Sequence, residues 1–230
     1  YRVFKGDIKS VLKDEEFRTY SFITIVSIIL ITFNVFGTNF NSIWESLRHA
    51  FFQVVSVITS TGYVTADFNQ WPLFSKCILV LLMFVGSCSF STGGGIKVIR
   101  IVILGKVIRR ELMRIIHPRS IYSVKIGGRA IDDESLTSVM AFFYFYMLIF
   151  ACSVLIVSLD GKSFETTVTA VVAMMGNIGL GLGDVGPLGN YIGFSDLSKV
   201  ILSLCKIIGR LEIFPILLLA MPTFWKKVNI

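Results

Sequence analysis

Charge is scarce in this chain of 230 residues: 16% are Asp, Glu, Lys or Arg, whereas 54% are hydrophobic. That balance excludes an ordinary soluble domain, in which roughly a quarter of the residues are charged. Histidine and cysteine are also rare, with 2 and 4 residues. The cysteines show no CxxC spacing and have no histidine nearby, so neither a disulfide framework nor a metal site is predicted. An apolar signal core is missing from residues 1–18, which are charged.

The chain contains long apolar segments without charged residues. Residues 138–159 form a run of 22 residues without one charged side chain, which is enough helix to cross a hydrocarbon core of roughly 30 Å. The chain is therefore predicted to be an all-α, multi-pass membrane protein in contact with lipid. Because it starts at Tyr1 rather than at Met, we expect it to be part of a longer protein.

Basic residues account for the net charge of +7, and they cluster between the apolar runs. Clusters of this kind are typical of cytoplasmic segments and argue against a nucleic-acid partner. The predicted cytoplasmic segments are residues 1–19, a mostly helical connection at 96–137, and residues 226–230. The predicted membrane units between them are residues 20–95 and 138–225.

An internal repeat relates the two membrane units. A shift of 117 residues lays residues 60–67 over residues 177–184 and matches Gly62 with Gly179 and Asp67 with Asp184. Each unit reads as a long apolar run, a polar gap, a short apolar stretch, a glycine-centred loop and a second long run. The short stretches have the length of segments that enter the membrane without crossing it. We therefore expect two units of the order span, pore loop, span.

The glycine-centred loops are predicted to surround a cation. Backbone that is not helical cannot face lipid, so a loop at membrane depth must line a cavity or lie inside protein. A short helix that ends at such a loop directs the negative end of its dipole at the cavity, which favours a cation. Loop carbonyls can then replace the hydration shell of the ion. The predicted ion-binding backbone comprises two filter loops: Ser60, Thr61, Gly62 and Tyr63, and Asn177, Ile178, Gly179 and Leu180.

A third glycine-rich segment interrupts the second apolar run of the first unit. Three consecutive glycines at 93–95 would each cost a helix about 1 kcal/mol. Either this segment is a plain loop to the cytoplasm, or it lies at the depth of the pore. The second interpretation is favoured because residues 71–90 alone barely reach across a membrane. A phosphate-binding loop is excluded, since Ile96 and Val98 stand where that motif needs other residues.

Four motifs together resemble the Trk/Ktr/HKT superfamily of potassium transporters, most closely its TrkH type. They are TSTGY at 59–63, STGGGIKVIR at 91–100, GNIGLGLGDVGP at 176–187 and GRLEIFPILLLAMPTFW at 209–225. The resemblance covers nearly the whole chain, as the C-terminal half with the third and fourth of that family's four pore units. It implies potassium uptake across the cytoplasmic membrane through one central pore with a backbone-carbonyl selectivity filter.

The resemblance also implies roles for particular residues and partners. Gly62 and Gly179 would lie at the narrowest ion sites, and Arg210 would be an electrostatic barrier in the pore. Potassium is the transported ion and no organic cofactor is expected. The implied partners are a second complete subunit, forming a homodimer, and a cytosolic nucleotide-binding regulatory ring like TrkA or KtrA. The implied gating loop spans residues 86–95 and contains Gly86, Ser91, Thr92, Gly93, Gly94 and Gly95.

Alternatives exist for several of these residues. Arg210 could instead be a buried structural partner of an acid such as Glu212, and Lys206, four residues earlier on the same helical face, has no assigned role. Residues 181–184 spell the GxGD of intramembrane aspartyl proteases, but Asp184 is followed by a loop rather than a span. A serine hydrolase is excluded, because both histidines are predicted on opposite faces of the membrane. We expect no enzymatic activity.

Overall fold

Helices make up most of the chain, and their order repeats. The structure is a computed structural model, and it describes residues 12–89, 91, 93–117 and 122–211. The helices are α1 (Glu15–Val35), α2 (Ile43–Ile58), α3 (Leu73–Phe84), α4 (Val98–Ile116), α5 (Asp133–Val157), α6 (Phe164–Met175) and α7 (Asp196–Leu211). Short 3-10 turns lie at Phe68–Gln70, Ser158–Asp160 and Gly183–Val185. Helices α1–α3 pack together as one unit and α5–α7 as another, while α4 packs on α1 and α5.

Aspartate side chains cap the first long helix of each unit. Asp14 accepts a hydrogen bond from the Glu16 amide at 2.9 Å, at the start of α1. Asp132 accepts one from the Ser135 amide at 3.0 Å, at the start of α5, and the bonds from Ser135 lower the pKa of the Asp132 carboxyl. Such caps satisfy amides that have no partner within the helix. The first long helix of each unit therefore begins at a polar cap.

Two helical segments among the described residues are long and apolar enough to cross a bilayer: Glu15–Val35, with a mean hydropathy of 1.5, and Asp133–Asp160, with 2.4. Only 33% and 17% of their most apolar windows are buried in the structure. The core helix of a soluble protein would be mostly buried. Their outward apolar side chains, such as Phe22, Phe33 and Leu155, instead suit a surface against lipid or further protein.

Helix α3 alone is too short to cross a membrane, so the second span of the first unit is broken. Its 12 residues cover about 18 Å of a hydrocarbon core of roughly 30 Å. The apolar run predicted over 72–90 continues past the helix end at Phe84, and an isolated bridge then pairs Val85 with Ile96. The second apolar element of the first unit is therefore a short helix followed by a non-helical segment that closes on itself.

Two features differ from the sequence expectation. Helix α2 begins at Ile43 and is longer than the short apolar stretch in the sequence. The apolar pattern missed its first turns because they carry polar residues such as Glu45 and Arg48. The connection that was expected to be mostly helical also contains a small antiparallel hairpin, in which Lys125–Ile126 pairs with Arg129–Ala130 around Gly127 and Gly128.

The main hydrophobic core joins the two units. It contains side chains from α1, α2 and α3, and it continues into the second unit through Val172, Ala173, Ile178 and Leu182. A second core surrounds α5, α6 and α7. Ile178 and Leu182 of the loop that follows α6 are therefore part of the core built by the first unit.

Candidate functional site: paired filter loops and a gate loop

The two filter loops have the same backbone conformation. Ser60 and Asn177, the only non-glycine residues with positive φ in the described chain, have φ values of 56° and 58°. Gly62 and Gly179, two positions further on, have φ values of 75° and 88°. The shift of 117 residues found in the sequence relates both pairs. The repeat is therefore present in the backbone as well as in the residue pattern.

Hydrogen bonds from loop amides to the preceding helix also repeat. In the first loop, the amides of Thr61 and Gly62 donate to the Ser56 carbonyl at 2.9 and 3.4 Å. In the second, the amides of Ile178 and Gly179 donate to the Ala173 carbonyl at 2.9 and 3.3 Å. The loop amides thus satisfy carbonyls that the end of a helix leaves without partners.

The two loops touch each other. A Cβ atom built on Gly62 would lie 2.3 Å from the Ile178 carbonyl oxygen, so only glycine fits this contact. The Ser60 hydroxyl donates to the Gly176 carbonyl at 2.8 Å. Close to the loops, the Asn69 side-chain amide exchanges two hydrogen bonds with the backbone of Gly183, at 3.1 and 3.0 Å. The structure therefore brings both predicted ion-binding segments together.

The gate loop, residues 86–95, lies against the filter loops. A Cβ atom on Gly93 would lie 3.0 Å from the Ser60 hydroxyl oxygen, and one on Gly94 would lie 2.7 Å from the Asn177 side-chain nitrogen. Ser60 and Asn177 occupy the same position of the repeat. Two successive glycines of the gate loop, Gly93 and Gly94, therefore pack against the side chains of Ser60 and Asn177. We call these two side chains the seat of the gate loop.

Backbone hydrogen bonds hold the ends of the gate loop together. The Ile96 amide donates to the Phe84 carbonyl at 3.0 Å, and the Gly86 amide donates to the Ile96 carbonyl at 2.5 Å. The Gly95 amide reaches the second unit and donates to the Met175 carbonyl at 3.2 Å. The carbonyl of the last residue of α6 is thus bound to the gate loop, which the sequence had not predicted.

Charged side chains at the starts of α1 and α4 form hydrogen bonds to the gate loop. Lys97 is 6% exposed, and its ammonium group donates to the carbonyls of Ser91 and, at 2.9 Å, Gly93. The Glu16 carboxylate accepts from the amide and the hydroxyl of Ser89, at 2.7 and 2.8 Å. Neighbouring Glu15 forms an ion pair with Lys106 of α4. The start of α1 therefore contacts both the gate loop and the connection between the units.

Comparisons with known proteins agree with this arrangement. Residues 17–227 match the TrkH family, described as cation transport proteins. The chain belongs to the TrkH family. It is 38% identical over 221 residues to "Trk system potassium uptake protein TrkH" of Salmonella typhimurium, covering 96% of this chain and 45% of that protein. It is 34% identical to "Trk system potassium uptake protein TrkG" of Escherichia coli, covering 98% of this chain and 46% of that protein.

A solved structure shows the same fold. The potassium transporter TrkH from Vibrio parahaemolyticus matches with a TM-score of 0.87 and 37% sequence identity, over 96% of this chain and 47% of that one. The chain spans about half the length of the TrkH family members it matches. It is a helical membrane protein of two repeats of the type span, pore loop, span, as the sequence predicted.

Arg210 lies close to the second filter loop. With Asn177, Lys206, Ile207 and Leu211 it lines an open recess of about 450 Å³. Both basic side chains are exposed in the described structure. The two positive charges that the sequence placed on one helical face thus border the same space. The suggested partner Glu212 and the gate residue Thr92 lie outside the described residues.

The aspartates of the protease alternative have other partners. The Asp184 carboxylate lies 3.3 Å from the Lys162 ammonium and is 58% exposed. The Asp67 carboxylate accepts from the Asn69 amide and from the Gln70 side chain, each at 3.1 Å. An aspartyl protease needs two carboxylates that share a proton. Neither the family nor these contacts support that alternative. The described residues also contain no group of three or more His, Cys, Asp or Glu that could hold a metal ion.

Sequence reasoning missed several side chains that hold the loops. The Ser56 hydroxyl donates to the Tyr63 carbonyl at 2.6 Å, and the Tyr191 hydroxyl donates to the Gly179 carbonyl at 3.1 Å. Asn69 and Glu16 were also overlooked. Ser56 could have been suspected, because a hydroxyl within an apolar pore helix needs a partner. The others lie outside the recognised motifs and carried no local signal.

The two filter glycines should tolerate a side chain differently. Gly62→Ala adds a methyl group 2.3 Å from the Ile178 carbonyl to a strained backbone, whereas the Cβ position of Gly179 has no atom within 4 Å. Both variants bear the cost of a positive φ, about 1–2 kcal/mol. We expect Gly62→Ala to lower the unfolding temperature of the complete protein in detergent clearly more than Gly179→Ala. Equal losses would contradict the contact between the loops.

Proposed function

We propose that this chain provides two of the four pore units of a potassium-uptake protein of the cytoplasmic membrane. The ion would pass between the filter loops, and their backbone carbonyls would replace its hydration shell. The closely matching relatives of S. typhimurium and V. parahaemolyticus are named for potassium uptake or transport, which supports potassium as the substrate.

One observation carries the proposal: two short helices end in loops of the same backbone conformation, and these loops touch. Helical residues cannot turn successive carbonyls toward one axis, whereas alternation of positive and negative φ reorients the peptide planes. Gly62 and Gly179 provide that freedom at equivalent positions. Two copies of such a loop around one axis form half of a ring of carbonyls. This arrangement suits a dehydrated monovalent cation better than any chemistry that requires a reactive side chain.

A complete pore would need two further units. We propose that these come from an additional part of the same protein, because the matching relatives are about twice as long as this chain. We further propose that complete subunits form a homodimer, regulated by a cytosolic nucleotide-binding ring. The mass of the purified complete protein, and its co-purification with such a ring, test these assemblies. A monomer that binds no cytosolic protein would contradict both.

Replacement of one filter glycine tests the potassium pathway. Gly179→Ser in the complete protein places a side chain at a position with φ of 88°, so the second loop must change its backbone. We expect the preference for potassium over sodium, measured by ion flux into vesicles, to fall while the protein still folds. A Gly105→Ala variant is the control, because this helical glycine has no atom within 4 Å of its Cβ position. Unchanged selectivity in Gly179→Ser would remove the second loop from the filter.

The gate loop is proposed to close the pathway beneath the filter. Its glycines rest on Ser60 and Asn177, and its ends are fixed by backbone bonds, so it can leave its seat as one segment. Opening would break the contact of the Gly95 amide with the Met175 carbonyl and release the Lys97 contacts, without touching the amides that hold the filter. The gating set remains the predicted one: Gly86, Ser91, Thr92, Gly93, Gly94 and Gly95.

A methyl group at the seat tests this gate. Gly94→Ala places a Cβ atom 2.6 Å from the Met175 carbonyl oxygen and 2.7 Å from the Asn177 side-chain nitrogen. We expect the closed state to lose stability and potassium flux per folded molecule to rise by about fivefold or more, which corresponds to about 1 kcal/mol. Selectivity should stay at the wild-type value. Flux equal to that of wild type at normal folded yield would reduce the segment to a connector.

Arg210 is proposed to act as an electrostatic barrier below the filter. A positive charge about 6 Å from a passing cation costs about 3 kcal/mol at an effective dielectric constant of 20. Its position in the recess beside Asn177, close to the second filter loop, supports this role.

The two roles of Arg210 predict opposite results. If it is a barrier, Arg210→Ala should increase flux per folded molecule at a normal yield. If it is a structural ion-pair member, the same change should strand a charge, cost about 3–5 kcal/mol and reduce the folded yield. Flux and yield measured on one preparation separate the roles, and low yield with ordinary flux per molecule would refute the barrier.

An enzymatic role is not proposed. The Asp184 carboxylate of the GxGD segment forms an ion pair with Lys162. The carboxylate of its repeat partner, Asp67, accepts hydrogen bonds from Asn69 and Gln70. Transport by backbone carbonyls requires none of them as an acid or a base.

A further inference from the structure

A tyrosine outside all the recognised motifs contacts the second filter loop. The Tyr191 hydroxyl donates a hydrogen bond to the Gly179 carbonyl at 3.1 Å. Gly179 has a positive φ, and the space next to its Cβ position is empty. A peptide group at such a position rotates easily unless something holds it. The tyrosine therefore contacts the filter where the backbone has most freedom.

Tyr191 is itself firmly held. Its ring stacks on Phe194, with centroids 5.7 Å apart and planes at 30°, and Phe194 is only 4% exposed. The next residue, Ser195, donates its amide to the Asp160 carboxylate at 2.9 Å. The segment before α7 is thus tied to the end of α5. A hydrogen bond from a side chain held in this way fixes its acceptor more firmly than one from a mobile side chain.

The first unit holds its loop by a different route. There the Ser56 hydroxyl, within helix α2, donates to the Tyr63 carbonyl at 2.6 Å. The shift of 117 residues places Ala173 at the position equivalent to Ser56, and alanine has no hydroxyl. The second filter loop therefore cannot be held by its own pore helix in this way. Tyr191, which lies outside the pore helix, instead donates to the carbonyl of Gly179, one residue before the position equivalent to Tyr63.

We propose that Tyr191 is a positioning residue of the ion pathway, which fixes the Gly179 carbonyl and thereby the discrimination between potassium and sodium. This inference rests on the proposed function. A carbonyl oxygen has two lone pairs, so the phenol can occupy one and leave the other for an ion. Selectivity among cations depends on the number and orientation of such carbonyls. A carbonyl that is free to turn away would favour the larger ion less.

Removal of one oxygen atom tests the role of Tyr191. In the complete protein, Tyr191→Phe keeps the stacking on Phe194 but removes the donor. We expect the ratio of potassium to sodium flux in vesicles to fall by roughly three- to tenfold, the range that one ordinary hydrogen bond provides. The matched control is Tyr146→Phe, because Tyr146 is 2% exposed and its hydroxyl has no hydrogen-bond partner among the described residues. The control should keep the wild-type ratio.

A second measurement does not depend on flux. Potassium that binds the folded protein raises its unfolding temperature in detergent, and the effect follows the occupancy of the site. Tyr191→Phe should need a several-fold higher potassium concentration for half of the maximal increase, whereas Tyr146→Phe should not. A change that merely loosened the fold would lower the temperature without altering this concentration.

The outcomes separate the two levels of the argument. The role of Tyr191 alone would be overturned if wild type and Tyr191→Phe prefer potassium equally and need the same potassium concentration for half of the maximal rise in unfolding temperature. A wild type that shows no preference for potassium would overturn the proposed function and this inference with it. A lower flux ratio and a higher potassium requirement, both confined to Tyr191→Phe, would support the inference.

Discussion

Satisfaction of backbone groups inside a membrane is the constraint on which this structure depends. Each amide or carbonyl left without a partner in hydrocarbon costs several kcal/mol, so non-helical segments need partners within the protein. The two filter loops meet this demand by returning their amides to Ser56 and Ala173 of the preceding helices. The gate loop meets it by closing on itself between Phe84 and Ile96 and by binding Met175 of the other unit. The gate loop therefore depends on the second unit as well as on its own ends.

Much of the fold could be predicted because its signals are local. The long apolar runs, the repeat shift and the glycine positions predicted the order of helices and loops in both units, and the structure brings the two predicted ion-binding segments together. Helix ends were less predictable. The polar first turns of α2 carry no apolar signal, and α3 ends at Phe84 because the chain there pairs with Ile96 rather than continuing as a helix. Such pairing depends on residues that lie far along the chain.

The side chains that support the site could not be found from local patterns. Ser60 and Asn177 were selected for their carbonyls, yet their side chains also form the seat of the gate loop. Asn69 and Tyr191 act on loops 114 and 12 residues away. The amino-acid sequence alone does not indicate these contacts, because an asparagine or a tyrosine in a loop has many possible partners.

The contacts between the units have a consequence for how the protein is made. The Ser60 hydroxyl and the Asn69 side chain bond to residues that are synthesised 116 and 114 positions later. When the first unit enters the membrane, these groups of its filter region must still rely on water or on temporary partners. Contacts of such long sequence separation form late. The first unit is thus open to degradation by membrane proteases until the second one is made. A translation pause or truncation between residues 70 and 176 would leave an unfinished pore half rather than a smaller working channel.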